Sequence, residues 1–206
     1  MGTVKRDLPV IAFKSQKAFE ARLGSGPADD RGFWLKIAKK SSGIASVSRA
    51  EAVDAALCQG WIDGQLDSFD DNYWLIRFTP RQSTSIWSEK NRARALELMA
   101  LGRMLPAGRS AIERAKKDGR WDKAYAAQGT AQVPEDLMRA LSKSRKAKAF
   151  FETLDSKNRY AILYRVHNAR KPETRSARIE KFVAMLVVGK AIYPMKAKTP
   201  KRARKA

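Results

Sequence analysis

The stretch WIDGQLDSFDDNYWLIRFTPR, Trp61–Arg81, sets two runs with a period of two on either side of an Asp-Asp-Asn turn and reads as one β-hairpin. Alternation puts Ile62, Gly64, Leu66, Trp74, Ile76 and Phe78 on one face, the expected core face. Trp61, Asp63, Gln65, Asp67, Tyr73, Leu75 and Arg77 then fall on the other, where a binding site is sought. That second face sets Asp63 against Arg77 across the hairpin as a candidate ion pair.

Working toward the N-terminus, residues 8–13 suit a short strand, and Ser15–Leu23 a helix closed by Gly24-Ser25-Gly26-Pro27. Phe33–Ala38 is a second strand. Ser48 followed by Glu51 is a capping box, in which each side chain satisfies a free backbone donor of the other residue. It opens a helix with Val53, Ala56 and Leu57 inward that leads straight into the hairpin.

Beyond the hairpin, Trp87–Leu101 is helical with Leu96, Met99 and Ala100 on one face. Gly102 stops it, and a second helix runs from Pro106 to Lys117. AAQGTAQV, residues 126–133, has neither periodicity and marks a boundary; Pro134 suits a helix start. Four sets with helical spacing follow as inward positions: Leu137, Met138 and Leu141; Phe150, Phe151 and Leu154; Tyr160, Leu163, Tyr164 and His167; Ile179, Phe182, Val183 and Leu186. Residues 195–206 carry six positive charges and almost no apolar surface, and are expected to be a disordered basic tail. The expected fold class is α+β: a small antiparallel sheet with packed helices over residues 1–130, then a helical module over 134–194.

Charge is uneven along the chain. Residues 1–81 hold 12 Lys and Arg against 10 Asp and Glu, a net +2, whereas residues 82–206 hold 30 against 11, a net +19. Such a half attracts phosphates, acidic proteins or anionic surfaces. Cys58 is the only cysteine, so an intrachain disulfide and a thiolate metal cluster are excluded. No apolar run is long enough for a membrane span, and the LPVIAF stretch is too brief for a signal peptide; the expected location is the cytoplasm.

The residues that carry chemistry elsewhere are scarce. Asp63, Asp67, Asp70 and Asp71 lie close together, but Asp70-Asp71-Asn72 is turn composition, and the reading favours a turn over a hard-cation site. His167 is the sole histidine, and its spacing suggests a packed one. No Walker loop or dinucleotide fingerprint appears, so no cofactor is expected and no catalytic residue is assigned. Arg77, Arg81, Lys90, Arg92 and Arg94 surround the start of the helix after the hairpin, a candidate pocket for a small anion. Trp61, Asp63, Trp87 and Asn91 are candidate lining residues, although Trp87 equally suits a helix anchor. Arg170, Lys171, Arg175 and Arg178 are candidate contacts to nucleic-acid phosphates.

Taken together, GFWLKIAKKSSGI, EAVDAALCQGWIDG, RFTPR, WSEKNRAR, GRMLPAG, DGRW and KPETRSARIEKFVAMLVVGKAIYP resemble the YdeI or OmpD-associated family, also called bacteriocin-protection proteins, over residues 10–194. The resemblance implies an α+β N-terminal domain similar to the YjbR/CyaY-like fold and an OmpD-associated helical domain over about 134–190. It implies a link to resistance against bacteriocins and cationic antimicrobial peptides, with no assigned reaction. The resulting expectation is a non-enzymatic binding protein for an unknown protein or small anionic ligand. The alternative is a basic protein that binds nucleic-acid phosphates without sequence preference.

Overall fold

Ser15, Ser48 and Ser88 each accept a backbone N–H three residues on, and so open three helices of the computed structural model, which describes residues 8–25 and 31–195. These are α1 (Gln16–Gly24), α2 (Arg49–Cys58) and α3 (Glu89–Ala100). At α2 the capping box is complete: Glu51 N–H donates to Ser48 Oγ at 3.3 Å, and Ser48 N–H to Glu51 Oε2 at 2.8 Å. α4 (Pro106–Lys117) starts on proline, whose missing N–H costs nothing in the first turn. The expected basic tail lies outside the described residues apart from Met195, as do Gly26 and Pro27.

Four strands, β1 (Val10–Ala12), β2 (Phe33–Ala38), β3 (Trp61–Ser68) and β4 (Tyr73–Pro80), form one sheet in the order β1-β2-β4-β3. The sheet is mixed, not wholly antiparallel as expected. β1 runs parallel to β2, and the intervening α1 supplies the crossover that a parallel pair needs. The remaining pairs are antiparallel.

The hairpin departs from simple alternation. Asp63 pairs with Phe78, yet Leu66 pairs with Ile76, so β3 gains a residue on β4 between those rungs and a bulge results. Each extra residue flips the side-chain parity of what precedes it. Trp61 and Asp63 therefore stand with Phe78 on the helix-covered face, and the expected placement of Trp61 on an open polar face is corrected. Leu66 shares a face with Ile76 as expected but is 52% exposed, since it lies on the edge strand beyond the bulge, away from the Trp61 end that packs against α2. Leu75, expected on the polar side, is fully buried beneath Leu8 and Trp34 on the opposite face.

The helix-covered core is aromatic. Phe19 lies 5.9 Å from Phe33 and 5.3 Å from Phe78, ring to ring and edge-on, and Phe33 reaches Trp61 at 5.8 Å. Ala52, Ala55 and Ala56 of α2 close over them. The next two residues of the helix, Leu57 and Cys58, turn to a neighbouring core built from Trp87, Leu98, Ile112 and Trp121, so α2 is shared by both. α4 crosses the end of α2 at backbone distance: a Cβ on Gly108 would sit 2.4 Å from the Cys58 carbonyl oxygen. Only glycine fits that crossing. In α3 the buried positions are Ala95 and Leu98, not Leu96 or Ala100, both of which face solvent.

The chain divides into two compact units, residues 1–124 and residues 125–206. The second is helical: α5 (Glu135–Ser142), α6 (Arg145–Thr153), α7 (Ser156–His167) and α8 (Pro172–Val187). Leu137, Phe151, Ile162, Val166, Phe182 and Leu186 centre its core. Two expectations fail here: Met138 is 53% exposed, and His167 is exposed in the last turn of α7 and not packed. Among the described residues no helix is long and apolar enough to cross a membrane.

Candidate functional site

In the N-terminal unit the predicted basic constellation is largely engaged by the protein itself. Arg81 is buried, stacks its guanidinium 3.6 Å above the Trp87 ring and donates to the Ile86 carbonyl at 3.3 Å. Trp87 in turn meets Trp121 edge-on at 4.8 Å, which makes it the helix anchor of the two roles open to it. Arg92 donates to the Trp121 carbonyl at 3.1 Å; Arg94 holds Asp54 by two bonds, one of 2.7 Å from Nε. Asp63 does not pair with Arg77. It accepts from Asn91 Nδ2 at 3.3 Å and Arg49 Nη2 at 3.4 Å, which ties β3 to the starts of α2 and α3. Arg77 stands opposite Trp34 on the other face, its Nε buried with no hydrogen-bond partner. Trp61, Asp63, Asn91, Arg81 and Trp87 thus lie in the helix-side packing, apart from Arg77.

The acidic turn is a turn: Asp70 Oδ1 accepts the N–H groups of Asn72 and Tyr73, each at 2.8 Å. Among the described residues no group of three or more His, Cys, Asp or Glu side chains is placed to hold a metal. Cys58 is buried, and desolvation pushes its thiol pKa up, away from a reactive thiolate.

Two of the four predicted phosphate contacts in the C-terminal unit have structural work. Arg175 grips Asp136 of α5 through Nε at 2.5 Å and Nη2 at 2.9 Å, and also donates to the Val166 carbonyl at 2.9 Å. The Arg175 hydrogen bonds hold the Asp136 carboxyl below its ordinary pKa. Arg178 donates to the Arg165 carbonyl at 2.5 Å. Arg170 and Lys171 are exposed where α7 leads into α8.

A different surface emerges on α7. Its buried residues are Asn158, Ala161, Ile162, Leu163 and Val166, a stripe rotated from the Tyr160-Leu163-Tyr164-His167 stripe expected from sequence. Lys157, Tyr160, Tyr164, Arg165 and Asn168 therefore share a second face, with spacings of three and four residues. A cavity of about 530 Å³ lies along it, walled by Tyr125, Tyr160, Tyr164 and Tyr193. A second of about 700 Å³ adjoins it across Tyr164 and Arg165, and Arg178 and Lys181 of α8 contribute to its far wall. Both volumes lie in the range of small-molecule sites.

The tyrosines are held in place. Tyr125 and Tyr164 meet edge-on at 5.0 Å, and Tyr160 donates its hydroxyl to the Ala126 carbonyl at 3.0 Å. Burial pushes the pKa values of Tyr160 and Tyr164 up. Tyr193 is fixed through its backbone: the fully buried Asn158 accepts its N–H at 2.8 Å and donates to its carbonyl at 3.2 Å. Lys157 sits 4.5 Å above its ring, and Arg165 donates to its hydroxyl at 3.3 Å. That hydrogen bond from Arg165 lowers the Tyr193 pKa below the usual phenol value.

Around the two cavities stand four cations, Lys157, Arg165, Arg178 and Lys181, and among the described lining residues there is no carboxylate. The arrangement concentrates positive potential over partly apolar walls, which suits an anion with an apolar portion. Residues 130–189 match the family model described as Bacteriocin-protection, YdeI or OmpD-Associated. The matched segment contains α5–α8, and with them every lining cation; Tyr125 and Tyr193 flank it on either side. Residues 11–111 match a domain of unknown function, DUF8412, which includes the whole hairpin. Neither a curated protein nor a solved structure gives a match.

Proposed function

We propose that this is a non-enzymatic binding protein in bacteriocin protection or envelope stress, and that its C-terminal unit takes an anionic ligand on the α7 face. The observation that carries the reading is the set of four cations, with no described carboxylate among them, around two adjoining tyrosine-walled cavities. The match to the bacteriocin-protection model supports the context. The proposed setting is the cytoplasm. A net charge of +21 repels a cationic peptide at long range, so protection here works through an anionic partner and not by capturing such a peptide.

Calorimetric titration with pyrophosphate near physiological salt tests this. The double variant Lys157→Glu/Lys181→Glu should weaken binding by at least about tenfold, since two attractive charges become repulsive. Arg77→Gln should leave it unchanged. Binding lost through Arg77→Gln but retained in the double variant would return the site to the hairpin arginines.

The net +19 of residues 82–206 supports a second reading, contact with nucleic-acid phosphates at Arg170 and Lys171. If that contact spans about six phosphates, duplex DNA affinity should fall with log salt at a slope of about −5, insensitive to Lys157→Glu/Lys181→Glu.

A further inference from the structure

We propose that the anion taken by the α7 face is a nucleoside monophosphate, its base laid against the tyrosines of the first cavity and its phosphate held by the cations of the second. This rests on the anion reading above and goes further by assigning the aromatic half of the site.

Four of the five tyrosines of the chain converge on one helix face, although cations alone would suffice for a simple anion. Clustered aromatic rings select either a cation, through their negative faces, or a flat π-system, through stacking. Lys157 and Arg165 already take the cation positions at Tyr193, 4.5 and 5.9 Å from the ring centroid, and no carboxylate is among the described residues that line the cavity beside them. A cationic guest is therefore repelled, and a planar one remains. Stacking of bases on aromatic side chains, with neighbouring Arg and Lys on phosphate, is a general way of reading nucleotides.

The ring positions are set before any ligand arrives. Asn158 fixes the Tyr193 backbone from within the core, and Tyr160 is tethered to the Ala126 carbonyl. Ring placement that costs no ordering on binding favours affinity. The shared wall of Tyr164 and Arg165 joins an aromatic compartment to one whose cations are Arg165, Arg178 and Lys181, and a base and its phosphate have that same polarity along their length. The Gln128 amide lines the first cavity, where its carbonyl oxygen is an acceptor for a base edge while its Nε2 donates to Ser156 Oγ at 2.8 Å.

The test is a calorimetric panel on the full chain near physiological salt: adenosine 5′-monophosphate, ribose 5-phosphate, adenosine and inorganic phosphate. The nucleotide should bind at least about tenfold more tightly than ribose 5-phosphate, the worth of one stacked base, and similarly more tightly than adenosine. Tyr193→Leu should remove most of the first advantage and leave ribose 5-phosphate binding unaltered. Lys181→Ala, on an exposed position that tolerates substitution, should weaken the nucleotide and ribose 5-phosphate in parallel. If ribose 5-phosphate or inorganic phosphate binds as well as the nucleotide, the nucleotide assignment is overturned while the anion reading stands. If no phosphate compound binds, both fall; if adenosine alone matches the nucleotide, the charge assignment fails.

Discussion

Replacing Trp61 by alanine separates the bulged hairpin from a regularly alternating one. Trp61 is only 5% exposed and packs on Phe33 at 5.8 Å. A buried aromatic side chain removes roughly 150–250 Å² from water, worth about 4–6 kcal/mol at about 25 cal/mol per Å². Residual burial in the unfolded chain lowers that figure. Large aromatic-to-alanine changes in cores cost about 3–5 kcal/mol, so about 4 kcal/mol is expected here. Ile62, on the opposite face and partly exposed, should cost about 1–2 kcal/mol as alanine, less than a fully buried isoleucine. All five tryptophans lie within residues 1–124, so tryptophan fluorescence in urea follows the N-terminal unit alone. With a slope of about 2 kcal/mol per molar, Trp61→Ala should lower the midpoint by about 2 M. If Ile62→Ala proves the more damaging of the two, β3 has no bulge and the face assignment is wrong.

Three further outcomes are expected. The Asp136 carboxyl has a folded pKa below its unfolded value of about 3.9, so its pairing with Arg175 stabilises the C-terminal unit fully above that value and is lost as pH falls through the folded pKa. Asp136→Asn should cost about 1 kcal/mol at neutral pH and flatten the acid limb of a circular-dichroism melting series. Asn158→Ala should lower thermal stability by about 1–3 kcal/mol, because the Tyr193 N–H and carbonyl lose their partner, and its tyrosine fluorescence should become more solvent-like. Gly108→Ala should destabilise the N-terminal unit by about 1–3 kcal/mol in urea, since the new methyl meets the backbone oxygens of Cys58 and Leu57 at 2.4 and 2.6 Å.

Much of the fold was legible because local chemistry determines it. Phe33–Ala38 is a strand at the expected bounds, and the Ser48–Glu51 capping box forms as its spacing implies. The sheet pairing was less legible: a bulge leaves no mark on alternation until the partner strand fixes the register, so Trp61 read as outward. The parallel β1–β2 pair is likewise a long-range fact that no three-residue strand announces.

The candidate site was harder to see for a related reason. Helical periodicity tells that Tyr160 and Tyr164 share a face, but aromatic residues weigh toward the core, and the true buried stripe of α7 uses Ile162, Leu163 and Val166. The available signal was the interleaving of Lys157 and Arg165 with the two tyrosines, charges that a core stripe does not carry. Tyr125 and Tyr193 come from outside the helices, and only folding brings them to α7. On the hairpin side, Arg81, Arg92 and Arg94 of the suggested anion pocket turned out to serve carbonyls, a carboxylate and an indole within the N-terminal unit, and Arg77 lies on the other face.

The most direct test of an anion site on α7 uses the tyrosines as reporters. Four of them wall the first cavity, while Tyr73 lies on β4 beside Lys36 and serves as an internal control. With ring-labelled tyrosine, titration with pyrophosphate should shift the NMR signals of Tyr125, Tyr160, Tyr164 and Tyr193 along one saturating curve and leave that of Tyr73 in place. A saturating shift at Tyr73 with the other four unmoved would contradict the account and put the anion on the hairpin sheet.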